Sequence, residues 1–266
     1  MPEPPHTSGA QSPSPNAEAL RILTELAAPL QASIPGPAEV VVHHLPSLPH
    51  SIIAIAGNVT GREVGDPATN TLLEAAASQS LRTHIGYETT APDGRALTST
   101  TIIINAQDGS PIAALCINRD VTGIRYAERV LHELSTRTGV EQAPDNDAPR
   151  GEHAAPTSTD QSPEAFVHSI DELASLLLRT AIPDQGEPGE LSREQKIAAV
   201  RSLKKRGFFL LRDAAEKAAT ALGVSRFTIY NYLNEIGESA DRQREDGKPP
   251  ASSASSIPAT AAEDPS

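Results

Sequence analysis

Two Asp-Gly steps constrain this chain more tightly than any other feature. They lie in "IGYETTAPDGRALTSTTIIINAQDGSPIAALCIN", where Asp93-Gly94 and Asp108-Gly109 each separate strand-like runs in which Thr and Ile recur. Asp-Gly supplies the positive φ that a tight reversal needs, and the flanking runs have strand composition. Two such reversals in succession predict a three-stranded antiparallel meander near 84–90, 96–105 and 111–118. Upstream, "EVVVHHL" and "SIIAIAGN" read as two more strands, parted by the turn-prone "PSLPH". A helix is predicted before them in "AEALRILTELAAPLQAS", where Leu20, Leu23, Leu26 and Leu30 have helical spacing. A further helix, "TNTLLEAAASQSL", follows them.

Helix, two strands, a helical crossover and three strands resolve most simply into one five-stranded antiparallel sheet with helices on a face. That is the layout of a PAS-type sensor domain. "TGIRYAERVLHELSTRT" then reads as a helix leaving the sheet, suited to dimerisation or signalling.

The C-terminal part has a different grammar. In "LSREQKIAAVRSLKKRG", Ser192 stands three residues before Gln195, the capping-box spacing, and Ile197, Val200 and Leu203 line one face. Gly207 ends that helix. "RDAAEKAATALG" is a second helix, with Ala215, Ala218, Ala219 and Leu222 as a stripe of mostly small residues. Small residues admit a third helix at close range and a steep angle. In "GVSRFTIYNYLNE", Gly223 turns the chain, Val224 plugs the core and Ser225 caps the next helix. Ile229, with Leu233 or Tyr232, is expected to face inward. Arg226, Phe227, Tyr230, Asn231 and Asn234 are expected to face out. The whole chain is thus read as α+β: a PAS-like sheet domain followed by an all-α helix-turn-helix.

Charge separates the same two regions. The chain of 266 residues carries a formal net charge of -12. Residues 191–236 hold nine bases and four acids, a net of +5, which leaves -17 for the remainder. A basic module on an acidic chain is a footprint for an anionic partner. The expected divisions are a tail at 1–17, a sensor domain at 18–138, and a linker at 139–189 with a short helix near 163–181. A helix-turn-helix domain at 190–237 and a tail at 238–266 complete the chain. Segments 1–17, 141–162 and 239–266 are too poor in large apolar residues to offset their chain entropy by packing.

Cys116 is the only cysteine, which excludes an internal disulfide and fits a reducing, cytoplasmic compartment. No apolar run reaches membrane-spanning length. His43 and His44 are adjacent on a strand, so their side chains point to opposite faces and one metal ion cannot take both from that strand. No phosphate loop, nucleophile elbow, His-Glu-x-x-His or Cys-x-x-Cys is present, so neither enzyme chemistry nor a cofactor or metal is expected.

The candidate DNA-binding residues are Ser225, Arg226, Phe227, Thr228, Tyr230, Asn231 and Asn234, with Lys204, Lys205 and Arg206 beside them. Arg matches guanine O6 and N7, and Asn matches adenine N6 and N7, while Thr and Tyr reach phosphates. A packing or dimerisation role for three amphipathic helices is the plainer reading. The turn, the small-residue helix, the exposed polar face and the local charge together favour DNA. In the sheet domain, Asn58, Thr60, Arg62, Asp66, Thr69, Ser99, Thr101 and Asn118 are candidates for a ligand between sheet and helices, and a carboxylate such as Asp66 suits a cationic group. Against this, Asn58, Thr60 and Asp66 are equally suited to fixing turns and caps. Cys116, in an apolar strand, reads as a buried inert thiol.

"SIIAIAGNVTGREVGDPAT", "DGRALTSTTIIINAQDGSPIAALCINRDVT" and "RGFFLLRDAAEKAATALGVSRFTIYNYLNE" together resemble the YheO-like transcriptional regulators. The resemblance spans about 18–135 and 165–237. It implies a PAS-like domain joined to a helix-turn-helix whose last helix reads a double-stranded DNA operator. Two departures stand out. Ala56-Gly57-Asn58 precedes Val59-Thr60-Gly61-Arg62 where relatives carry Asn-Gly-His, and Arg212-Asp213 replaces a frequent Lys-Gly. The expected function is a cytoplasmic, dimeric bacterial regulator, a repressor, answering to a small-molecule effector. The alternative is a PAS-containing signalling adaptor that binds proteins instead of DNA.

Overall fold

The computed structural model describes residues 14–137, 163–182 and 191–246. Most of the three segments marked as tails or linker lies outside these residues; the first helix takes up the end of one and the last helix the start of another. Helix α1 (Pro15–Ser33) begins where the Ser14 hydroxyl accepts from Ala17 N. Its inward stripe is Leu23, Ala27 and Leu30, packed on the sheet, and Leu26 faces out. The leucine stripe was expected to include Leu26; the 3.6-residue period instead turns the smaller Ala27 inward, which lets the helix lie close to the strands.

The sheet contains β1 (Ala38–His44), β2 (Ile52–Ala56), β3 (His84–Thr90), β4 (Ala96–Asn105) and β5 (Pro111–Asp120) in the order β2-β1-β5-β4-β3. Every neighbouring pair is antiparallel. The meander turns close through Ala91 with Arg95 and through Ala106 with Ser110. Only Gly94 and Gly109 take positive φ there; Asp93 and Asp108 do not. Each Asp instead accepts from the amide two residues on, Arg95 N and Ser110 N, so the reversals are slightly longer than two-residue hairpins.

Helix α2 (Asn70–Ala77) starts from the Thr69 cap and stops at Ser78, before the left-handed Gln79, short of the Leu81 that the sequence suggested. Helix α3 (Thr122–Arg137) leaves the sheet directly after β5.

His43 is buried on one face of β1, its Nδ1 2.8 Å from Ser51 Oγ, while His44 lies on the other side with Ser47. Burial, reinforced by the Arg62 charge, lowers the His43 pKa from 6.5 to about 3. The unfolded chain therefore binds a proton between those values that the folded one refuses, and stability falls as pH drops below 6.5. Between pH 7 and 5 this one group removes about 2 kcal/mol of stability. Denaturant midpoints at the two pH values, compared with His43→Gln, should show that differential loss; equal losses in both chains would remove His43 as its source.

The C-terminal unit contains α4 (Ile170–Ala181), α5 (Arg193–Lys205), α6 (Ala214–Leu222) and α7 (Arg226–Asp246). Its core joins Leu173 and Leu177 of α4 to Val200, Leu203, Phe208, Ala218, Leu222 and Ile229. The stretch expected to be helical near 163–181 forms its helix only from Ile170, capped by Ser169; residues 163–167 have no regular secondary structure and His168 lies in a bend. Helix α7 continues past Gly237 to Asp246.

Candidate nucleic-acid interface and sensor cleft

The capping box at Ser192 forms: Gln195 N donates to Ser192 Oγ and Ser192 N to Gln195 Oε1. Between α5 and α6 the chain makes a short 3-10 turn, and Asp213 enters α6 with φ of 56°. This is the left-handed region that Asp tolerates better than most residues, and the position is the Gly of the frequent Lys-Gly pair. Gly223 then takes φ of 61°, Val224 N bonds back to Ala219 O, and Ser225 Oγ accepts from Thr228 N at 3.1 Å. Ala218 and Ala219 are buried where α7 meets α6, so the small-residue stripe sets the close approach.

Ile229, Tyr232 and Ile236 are the buried anchors of α7, with Val224 and Leu233 packed part-way. Of the two alternatives posed for the inward position, Tyr232 is buried and Leu233 half-buried. Arg226, Phe227, Tyr230, Asn231 and Asn234 are exposed together on the opposite face. Phe227 is 73% exposed, an unusual position for a large aromatic side chain. The Tyr230 hydroxyl, and to a lesser extent Glu216 at 3.9 Å, hold the Arg226 guanidinium in its charged form. Ser225 and Thr228 sit at the helix start, where backbone N–H groups favour an anion.

Lys204 and Lys205 are exposed at the end of α5. Arg206 is only 18% exposed and faces Glu74 of α2 at 3.8 Å, and Lys205 reaches the same carboxylate at 4.0 Å. The three bases expected to accompany the α7 face therefore do not all project into solvent.

In the sheet domain the buried polar groups gather around a residue that composition did not single out. Glu39, fully buried on β1, accepts from Val59 N, Thr60 N, Thr60 Oγ1 and Asn118 Nδ2. Arg62 donates from Nε to Thr60 Oγ1 and lies 3.6 Å from Glu39. Ser99 joins this network by donating to Asn118 Oδ1. Four predicted residues, Thr60, Arg62, Ser99 and Asn118, thus converge on one carboxylate. The only sequence signal for Glu39 is a charge inside the β-rich run "EVVVHH".

Thr101 belongs to a neighbouring group of three, 2.9 Å from the Tyr87 hydroxyl and 3.5 Å from Cys116 Sγ. Burial pushes the Cys116 thiol up to about 11, so it is protonated and unreactive at neutral pH. Asp66 accepts from Glu63 N in a turn and lies 3.7 Å from His168, and Asn58 is exposed beyond β2. Neither lies in the Glu39 network.

Thr69 caps α2 and donates to Glu164 Oε1 at 2.7 Å. Glu164 and Phe166 come from the segment before α4, far along the chain, and nothing local in the sequence marks them. Phe166 packs with Val59, Ala91 and Leu97 and lies beneath the Arg62 guanidinium at 4.9 Å. Nη1 of Arg62 and Oε2 of Glu164 are buried without a hydrogen-bond partner. Among the described residues there is no group of three or more His, Cys, Asp or Glu able to hold a metal ion. Nor is any helix among them long and apolar enough to cross a membrane.

Comparison with known proteins matches the same two units. A YheO-like PAS domain is matched over residues 14–136, and a helix-turn-helix domain over 173–234, a span that takes in most of α4. A protein of Pseudomonas aeruginosa named Transcriptional regulator DauR is 29% identical over 205 residues, covering 77% of this chain and 88% of its own. An uncharacterized protein of Haemophilus influenzae is 28% identical over 201 residues, 74% of this chain and 82% of that one. The uncharacterized protein YheO of Escherichia coli K12 is 26% identical over 220 residues, 78% and 80% of the two chains.

Proposed function

Because the chain belongs to the YheO-like family, with its PAS domain followed by a helix-turn-helix, we propose that it is a cytoplasmic DNA-binding transcriptional regulator that represses its targets. One observation carries this reading. The face of α7 bearing Arg226, Phe227, Tyr230, Asn231 and Asn234 is exposed as a unit, while Ile229 and Tyr232 anchor its other side. A helix fixed by its own core and presenting Arg and Asn is built to enter a major groove. The relative named as a transcriptional regulator supports the same role, which assigns this chain no catalytic step.

The reading includes a homodimer joined through α3. Ile124, Ala127, Leu131 and Leu134 are exposed and spaced three, four and three residues apart, the pattern of a coiled-coil seam. A two-fold pair of α7 helices would read a palindrome with half-sites about 34 Å apart, one turn of the duplex. The PAS domain is proposed to sense a small molecule through Thr60, Arg62, Thr69, Ser99, Thr101 and Asn118.

Genomic fragments selected on the full chain supply an operator, and titration at several salt concentrations tests the proposal. Two chains should bind each palindromic site. Lys204→Ala should weaken binding to every sequence alike and flatten the log K against log salt slope by about 0.9. One chain per site excludes the dimer. Absence of salt-sensitive DNA binding would favour the protein-binding adaptor.

A further inference from the structure

Phe166 and Val167 are neighbours in the chain, yet they enter different cores. Phe166 packs with Val59, Ala91 and Leu97 of the sheet domain, and Val167 with the core of the C-terminal unit. One stretch of chain is therefore pinned to both bodies at once. The sheet domain grips it at four more points. Asn70, itself buried, accepts from Ala165 N through Oδ1 at 2.6 Å and donates through Nδ2 to Pro163 O at 3.2 Å. Thr69 holds Glu164, and Asp66 faces His168. A cleft of about 240 Å³ runs alongside, lined by Thr90, Pro92, Glu164, Phe166, Leu176 and Arg179. The stretch then runs directly into α4.

The C-terminal unit is seated on the sensor at a second place. Leu73 of α2 is part of its core. Gly207 lies so close to α2 that a Cβ there would sit 2.8 Å from the Leu73 carbonyl oxygen. Beside it Glu74 faces Lys205 and Arg206. A carboxylate between two bases at the end of α5 occupies the electrostatic position that a DNA phosphate would take.

We propose that residues 163–168 are a latch: Glu164 and Phe166 close the sensor cleft, and Val167 with α4 holds the C-terminal unit docked on α2, where Glu74 competes with DNA phosphate for Lys205 and Arg206. The DNA half of this statement rests on the function proposed above. Glu164 lines the cleft and its Oε2 is buried without a partner, so the closed latch is the place where an occupant of the cleft acts. A buried polar atom without a partner is costly, so a molecule that satisfies it changes the balance between latched and released states.

Hydrogen–deuterium exchange on the full chain tests the latch without DNA. Asn70→Ala should raise exchange at Ala165 by about tenfold, with a parallel rise at Gly207, Leu210 and Leu211 and none in β4 or β5. A rise confined to 163–168 would overturn the coupling, and no rise at Ala165 would overturn the latch. Should Asn70→Ala fail to fold, Phe166→Leu keeps an apolar plug and loses the ring under Arg62, and it is read by the same amides. Glu74→Gln should tighten binding to the selected operator by about two- to fivefold and steepen its salt dependence. Unchanged affinity and slope would overturn the competition. A wild-type chain that ignores DNA would instead refute the proposed function, and the exchange result would stand apart from it.

Discussion

A chain carrying both Arg226→Ala and Asn231→Ala is expected to fold normally and to lose about thirtyfold or more in operator affinity. Each residue is exposed, and the α7 anchors Ile229, Tyr232 and Ile236 are untouched. Exposed polar substitutions away from caps and core change stability by about 0.5 kcal/mol or less. A bidentate Arg–guanine or Asn–adenine contact is worth about 1–3 kcal/mol, so losing two amounts to at least about 2 kcal/mol and commonly more. Removing Arg226 also withdraws a charge that Tyr230 and Glu216 hold in place, while Thr228 and Tyr230, proposed for phosphate contact, are left unchanged. Affinity for scrambled DNA should therefore fall less than affinity for the operator. Anisotropy titrations of both duplexes measure the two losses. Equal losses would make these residues phosphate contacts, and unaltered affinity and base preference would remove them from the interface.

The largest effect on stability is expected at Gly57. Its φ is +88°, and a Cβ there would lie 2.1 Å from the Ala38 carbonyl oxygen and 3.0 Å from the Glu39 Cα. Both obstacles are backbone of β1, whose opposite edge is paired to β5 over its whole length. Gly57→Ala must therefore push β1 away from the loop whose amides at Val59 and Thr60 bind Glu39. Separating them leaves a buried carboxylate short of donors, which compounds the backbone strain. A loss of about 4 kcal/mol or more is expected, in the range that marks a specific structural fault. Denaturant unfolding of the two chains measures it; a loss below about 1 kcal/mol would show that the loop yields and that the close approach is incidental.

The parts legible in the sequence are those set by neighbours in the chain. The capping box at Ser192, the turn at Gly223 and the exposed face of α7 are local patterns of three to eight residues, and the structure contains each of them. The meander followed from two glycines that take positive φ. Errors came where packing chose between near-equal local options. Ala27 displaced Leu26 from the inward stripe of α1, and α2 ended at Ala77 because Gln79 turned left-handed. The candidate ligand residues divided for the same reason. Thr60, Arg62, Ser99 and Asn118 meet at Glu39, whereas Asn58 is exposed and Asp66 accepts from Glu63 N, both outside that network.

The sequence alone determined the periodicities, caps and turns, and with them a five-stranded sheet and a helical unit with an exposed polar face. Those depend on interactions between residues a few positions apart, where chain connectivity does most of the ordering. Tertiary structure decided what meets across long separations: the seat of Glu164 and Phe166 beside Thr69 and Arg62, the membership of α4 in the C-terminal core, and the pairing of Glu74 with Lys205 and Arg206. No local propensity encodes those contacts, because each exists only once two separately folded surfaces exclude water between them.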